Sequence, residues 1–114
     1  MSTLVGDREV FALAVAFSED AMTVSLDDGR TISVPLAWYP RLLAGTAEER
    51  LRYELIGDGE GIHWPDLDED ISVEGIVAGR PSAESASSLA RWLSQRQAAS
   101  NRPAQGGADA PADA

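Results

Sequence analysis

The run from Met22 to Val34 narrows the choice of fold more than any other part of this chain. Met22, Val24 and Leu26 alternate with Thr23 and Ser25, a period of two that puts the apolar side chains on one face of a strand and would scatter them around a helix. Asp28-Gly29 follows at once and supplies the positive-φ turn of a hairpin into Thr31-Ile32-Ser33-Val34. Upstream, the stretch from Glu9 to Phe17 sets Phe11, Leu13, Val15 and Phe17 on one side of an extended strand, with Ala12, Ala14 and Ala16 on the other. Ser18 to Ala21 makes a short polar connection. The N-terminal third is therefore expected to be a three-stranded antiparallel meander.

Pro35 has no amide hydrogen for a central ladder and suits the first turn of a helix, so the third strand should end there and Leu36 to Leu43 should turn helical. Pro40 should split that helix around Trp38-Tyr39-Pro40, with Leu36, Trp38, Leu42 and Leu43 turned toward the sheet. Thr46-Ala47-Glu48-Glu49 is a capping box that starts a second helix running to about Tyr53 or Leu55, with Glu48 and Arg52 four residues apart. Short extended pieces follow at Ile62 to Trp64 and Ile71 to Val73, and a brief helix from Glu74 should close at Gly79. Beyond Arg80, Pro81-Ser82 starts an amphipathic helix over Ala83 to about Ala98, with Ala86, Leu89, Ala90 and Leu93 on one stripe and Trp92 beside it. From Asn101 no large apolar side chain remains. The expected organisation is an α+β domain over residues 1–80, a helix over 81–99 and a disordered tail over 100–114.

Composition removes several function classes. Cysteine is absent, so disulfides, thiolate chemistry and zinc ribbons are excluded, and without an apolar signal region the expected compartment is the cytoplasm. No apolar run approaches the roughly 20 residues that span a bilayer, so no membrane partner is expected. A net charge of -10 disfavours nucleic acid and anionic surfaces and favours a basic protein partner. All nine basic residues are arginines.

Residues 57–71 hold three glycines, six acids, the only histidine, a tryptophan and a proline, with no lysine or arginine. Asp66, Asp68 and Asp70 have the alternate spacing of a calcium loop, but Ile71 stands at the required glycine and Val77 at the required twelfth-place glutamate. His63 beside carboxylates is a candidate general acid or base with Asp66 or Asp68, yet it has no second histidine or cysteine beside it and no G-x-S-x-G nucleophile signature nearby. The glycine series Gly57-x-Gly59-x-Gly61 lacks the lysine of a phosphate loop, and Glu60 would repel phosphate. The structural alternative has His63 and Trp64 packed on the sheet while the acids cap backbone amides in a tight loop. No cofactor and no metal is expected.

The series Asp28-Gly29-Arg30, Val34-Pro35-Leu36-x-Trp38-x-Pro40-x-Leu42, Gly57-x-Gly59-x-Gly61-Ile62-His63-Trp64-Pro65-x-Leu67-Asp68-Glu69-Asp70-Ile71 and Val73-Glu74-Gly75-Ile76-Val77-Ala78-Gly79 resembles the small bacterial family known as domain of unknown function 2442. The resemblance covers about residues 10–80. It implies an α+β fold and, for many members, a gene arrangement like that of a toxin–antitoxin pair; some longer relatives append a helix-turn-helix, whereas one helix and a disordered tail are expected here after Gly79. It brings no catalytic residues. The expectation is a non-enzymatic protein-interaction domain, antitoxin-like, that meets a basic partner through His63, Trp64, Asp66, Asp68, Glu69, Asp70 and Trp92. Alternatives are a hydrolase or metal enzyme built on His63 with Asp66 or Asp68, and a subunit of a larger assembly, with a homo-oligomer left open.

Overall fold

Met22, Val24 and Leu26 are buried on one face of a central strand, β2 (Ala21–Leu26), as their alternation requires. In this computed structural model, which describes residues 9–100, β2 lies between β1 (Ala12–Phe17) and β3 (Thr31–Pro35) in an antiparallel meander. Gly29 makes the β2–β3 turn at φ +93°. The outer strand β1 departs from simple alternation. Its register against β2 slips between Ala12 and Ala14, so Ala12 and Val15 turn inward while Leu13 is 62% exposed. The face expected to carry Phe11, Leu13, Val15 and Phe17 is broken by this bulge. Bulges on edge strands re-aim side chains, and this one coincides with the point where Gly59 packs against the Ala12 backbone.

The split at Tyr39 occurs as Pro40 demands. A single helical turn over Leu36–Trp38 is followed, after Tyr39 at φ -127° and ψ 86°, by α1 (Pro40–Ala44). Leu36 and Leu42 are buried, but Tyr39 joins them in the core and Leu43 is left 50% exposed, because the break resets the helical phase. The capping box starts α2 (Ala47–Leu51): the Glu49 amide donates to Thr46 Oγ1 at 3.1 Å and the Thr46 amide to Glu49 Oε1 at 2.9 Å. This helix is shorter than expected. Arg52 leaves the helical region at ψ 62°, and the chain passes through the β-favouring Tyr53 into β4 (Glu54–Ile56), which ends on the β-branched Ile56.

A second antiparallel sheet of three strands, ordered β4-β5-β6, is therefore present where isolated extended pieces were expected, with β5 at Gly61–Trp64 and β6 at Glu69–Ser72. The free edge of β1 meets the residues flanking β4, since the Val15 amide donates to Tyr53 Oη at 3.1 Å. Ser72 then caps α3 (Val73–Val77) by accepting from the Gly75 amide at 3.0 Å, and the chain leaves through Gly79 at φ +75°.

The fold divides between Ser82 and Ala83 into two compact units. The second unit contains α4 (Ala86–Ser100), which starts later than the Pro81-Ser82 signal suggests because Ser85 is the cap, its Oγ accepting from the Ser88 amide at 3.1 Å. The tail expected over 100–114 lies, apart from Ser100, outside the described residues. Among the described residues no helix is long and apolar enough to cross a membrane.

Candidate functional site

The middle strand of the second sheet sorts the dense segment into two faces. Ile62 and Trp64 point inward and are buried, while Gly61 and His63 lie on the outer face. Directly paired residues of neighbouring strands share a face, so the register Glu54↔His63↔Asp70 lines these three side chains in one outer row, and Ile56↔Gly61↔Ser72 forms the next. Trp64 is thus not available to a partner, contrary to its place among the expected contact residues. Its ring is fully buried beside Phe17 and Tyr53, each at 6.4 Å between centroids, and its indole N–H donates to the Arg50 carbonyl at 2.9 Å.

Beyond Trp64 the chain reverses in a tight turn closed by the Leu67 amide on the Trp64 carbonyl at 3.2 Å, with Asp68 in the left-handed region at φ +52°. Leu67 is fully buried and plugs the turn onto the domain against Gly45, where an added Cβ would come within 2.8 Å of its methyl group. The acids to either side point out, each toward a cation of its own. Arg52 Nε lies 2.6 Å from Asp66 Oδ2, Arg41 Nη1 donates to the Asp68 carbonyl at 2.9 Å, with Asp68 Oδ2 at 3.5 Å, and His63 Nδ1 lies 2.5 Å from Asp70 Oδ1.

The alternate aspartates are therefore explained by three internal anchors drawn from α1, from the end of α2 and from β5. A calcium loop would turn the carboxylates toward one ion; here those of Asp66 and Asp70 meet Arg52 and His63, and Arg41 holds Asp68 mainly through its backbone carbonyl. His63 pairs with Asp70 and not with Asp66 or Asp68, which corrects the pairing expected for an enzyme. Placing His63 against the sheet core beside Trp64 is corrected too, because adjacent strand residues must face opposite ways. Each exposed ion pair contributes only about 0–1 kcal/mol. Their larger effect is to fix the geometry of the turn, leaving the Asp68 side chain 86% exposed.

Asp70, through its hydrogen bond, raises the His63 pKa above the ordinary imidazole value, with Glu54 and the Glu69 backbone adding to the same direction. Tyr39, buried and facing the Glu69 charge, is also raised, and its hydroxyl donates to the Arg80 carbonyl at 3.4 Å. A carboxylate on Nδ1 orients an imidazole as it would a general base. Ser72, in the neighbouring row, already serves as the α3 cap. Among the described residues no group of three His, Cys, Asp or Glu side chains is arranged to hold a metal ion.

Trp92 belongs to the second unit, on α4, where the Arg96 guanidinium carbon lies 4.9 Å from its ring centroid. Sequence reasoning missed Arg41, Arg52 and Glu54 as members of the site. The one available signal, the spacing of Glu48 and Arg52, pointed Arg52 along its own helix.

Solved structures share this architecture. A crystal structure of a protein of unknown function from Rhodospirillum rubrum ATCC 11170 matches with a TM-score of 0.60 and 26% identity, covering 68% of this chain and 95% of that one. The solution structure of an uncharacterised protein from Chromobacterium violaceum matches with a TM-score of 0.55 and 22% identity over 75% of each chain, and so shows the fold alone. No curated protein matches. The profile of one family, described as protein of unknown function (DUF2442), matches residues 12–82, and the chain belongs to that family.

Proposed function

We propose that this domain is a non-enzymatic recognition module that presents the outer face of its second sheet and the Pro65–Asp70 turn to a basic protein. The observation that carries this reading is the three-point anchoring of an exposed acidic turn. A loop held rigid before binding loses little conformational freedom on association, and loops fixed on a rigid scaffold are where recognition is usually placed. Charge supports the same partner. Eight acids (Glu54, Asp58, Glu60, Asp66, Asp68, Glu69, Asp70, Glu74) and no arginine lie between Arg52 and Arg80, so the surface attracts a cationic partner and steers its approach in a salt-dependent way.

In the antitoxin-like form implied by the family resemblance, that partner is a basic toxin which the domain neutralises. Affinity purification from the native cell with wild-type protein and with Glu54→Arg/Asp70→Arg tests the reading. A basic protein retained by the wild type and lost from the folded double variant supports it; equal retention by both removes this face from recognition.

A second reading, a subunit of a larger assembly, is favoured by Leu13, Leu51, Leu55 and Ile56, all exposed on the first unit. Sedimentation velocity over a concentration series tests the form in which the neighbours are further copies of this chain: a monomer at all concentrations rules out a homo-oligomer.

A further inference from the structure

Three cations hold the acidic turn, and they differ in one respect. The guanidinium groups of Arg41 and Arg52 stay charged at every physiological pH, whereas an imidazole is the side chain that can exchange its proton in that range. We propose that the His63–Asp70 contact is a proton-operated clasp on the β5–β6 hairpin, which is held by three ion pairs when the ring is charged and by two when it is neutral.

The geometry carries the inference. Register places Asp70 of β6 and Glu54 of β4 on either side of His63, so the protonated ring lies between two carboxylates in one row. Nδ1 sits 2.5 Å from Asp70, while the Glu69 backbone on the same strand and the Glu54 charge also favour the charged ring. Of the remaining charged groups of the hairpin, Asp66 is paired with Arg52 and Asp68 with Arg41, while Glu69 lies opposite Trp64, on the other face of β6 from His63, where its charge acts on Tyr39. Loss of the proton removes the charge attraction, leaves at most a neutral Nδ1–H hydrogen bond to Asp70, and sets the Glu54 and Asp70 charges facing each other across a neutral ring. The hairpin then opens more often from its β6 side, where a single tight turn and the plug of Leu67 still retain it.

This clasp does not depend on what the domain binds. Amide exchange in the full chain, corrected for the intrinsic rate and followed from below to well above the imidazole titration, tests it alongside an NMR titration of the His63 ring. Protection of the β6 amides should fall several-fold across the ring titration in the wild type, stay flat in Asp70→Asn, and be lower at every pH but still stepped in Arg52→Gln. A flat profile in the wild type, or the same step in Asp70→Asn, overturns the proposal.

Discussion

Replacing Gly59 with alanine probes the contact that fixes the second sheet beside the first. Gly59 has φ +106°, and a Cβ added there would lie 2.4 Å from the Ala12 carbonyl oxygen and 2.9 Å from its amide nitrogen. Both neighbours are backbone atoms of the β1 edge, so no rotamer change can relieve the overlap. Gly29 is the internal control: its φ is +93° but open space surrounds the added methyl. Forcing an L-residue into the left-handed region costs about 1–2 kcal/mol at either site. Overpacking adds roughly 1–3 kcal/mol at Gly59 alone. Gly59→Ala is therefore expected to lose roughly 2–5 kcal/mol and Gly29→Ala about 1–2 kcal/mol. For a domain of this size a difference of about 2 kcal/mol separates the melting temperatures by about 8–16 °C. Urea unfolding followed by tryptophan fluorescence measures both variants against the wild type. Equal midpoints for the two variants would refute the close approach of the Gly57–Gly59 turn to β1.

Trp64→Phe removes the indole N–H that satisfies the Arg50 carbonyl and opens space between Phe17 and Tyr53, so calorimetry should show a loss of roughly 2–4 kcal/mol, against under 0.5 kcal/mol for Leu13→Ala on the exposed bulge. Thr46→Ala breaks the capping box and should cost about 0.5–2 kcal/mol by urea unfolding; an unchanged midpoint would deny the cap any part in folding. The His63 pKa is raised in the folded state, so its stabilising contribution is complete below the unfolded imidazole value of 6.5 and disappears as pH rises through the higher folded value. The urea midpoint should accordingly decline over that window in the wild type relative to His63→Gln, and parallel profiles would contradict the His63–Asp70 interaction.

Much of the first sheet was legible because Met22, Val24 and Leu26 follow a strict period and Asp28-Gly29 dictates the turn. The bulge in β1 was not, because the register slip sits where Gly59, nearly fifty residues away in sequence, approaches Ala12, and it leaves no local mark on Leu13. The second sheet was seen only in fragments. Glu54 to Ile56 follows directly on a helix with a good cap, and a three-residue strand acquires its identity from its partners rather than from its own pattern. At the candidate site the acidic run is conspicuous in the sequence, but its internal partners are not: the expected roles were a partner-facing surface or caps on backbone amides, whereas Arg52, Arg41 and His63 hold Asp66, Asp68 and Asp70, and pairings across 14 and 27 positions cannot be read from spacing along one helix or strand. His63 and Trp64 could have been separated by the period of two alone, had the strand been recognised as half-buried.

The β5–β6 hairpin and the row Glu54, His63 and Asp70 form the surface proposed to meet a basic partner. Hydrogen exchange of the domain alone and in complex with the protein it retains from the native cell maps that surface directly. Added protection concentrated over residues 54–72, absent when the Glu54→Arg/Asp70→Arg variant is mixed with the same partner, is the expected result. Protection that falls on other residues, with 54–72 exchanging as in the free domain, would contradict it.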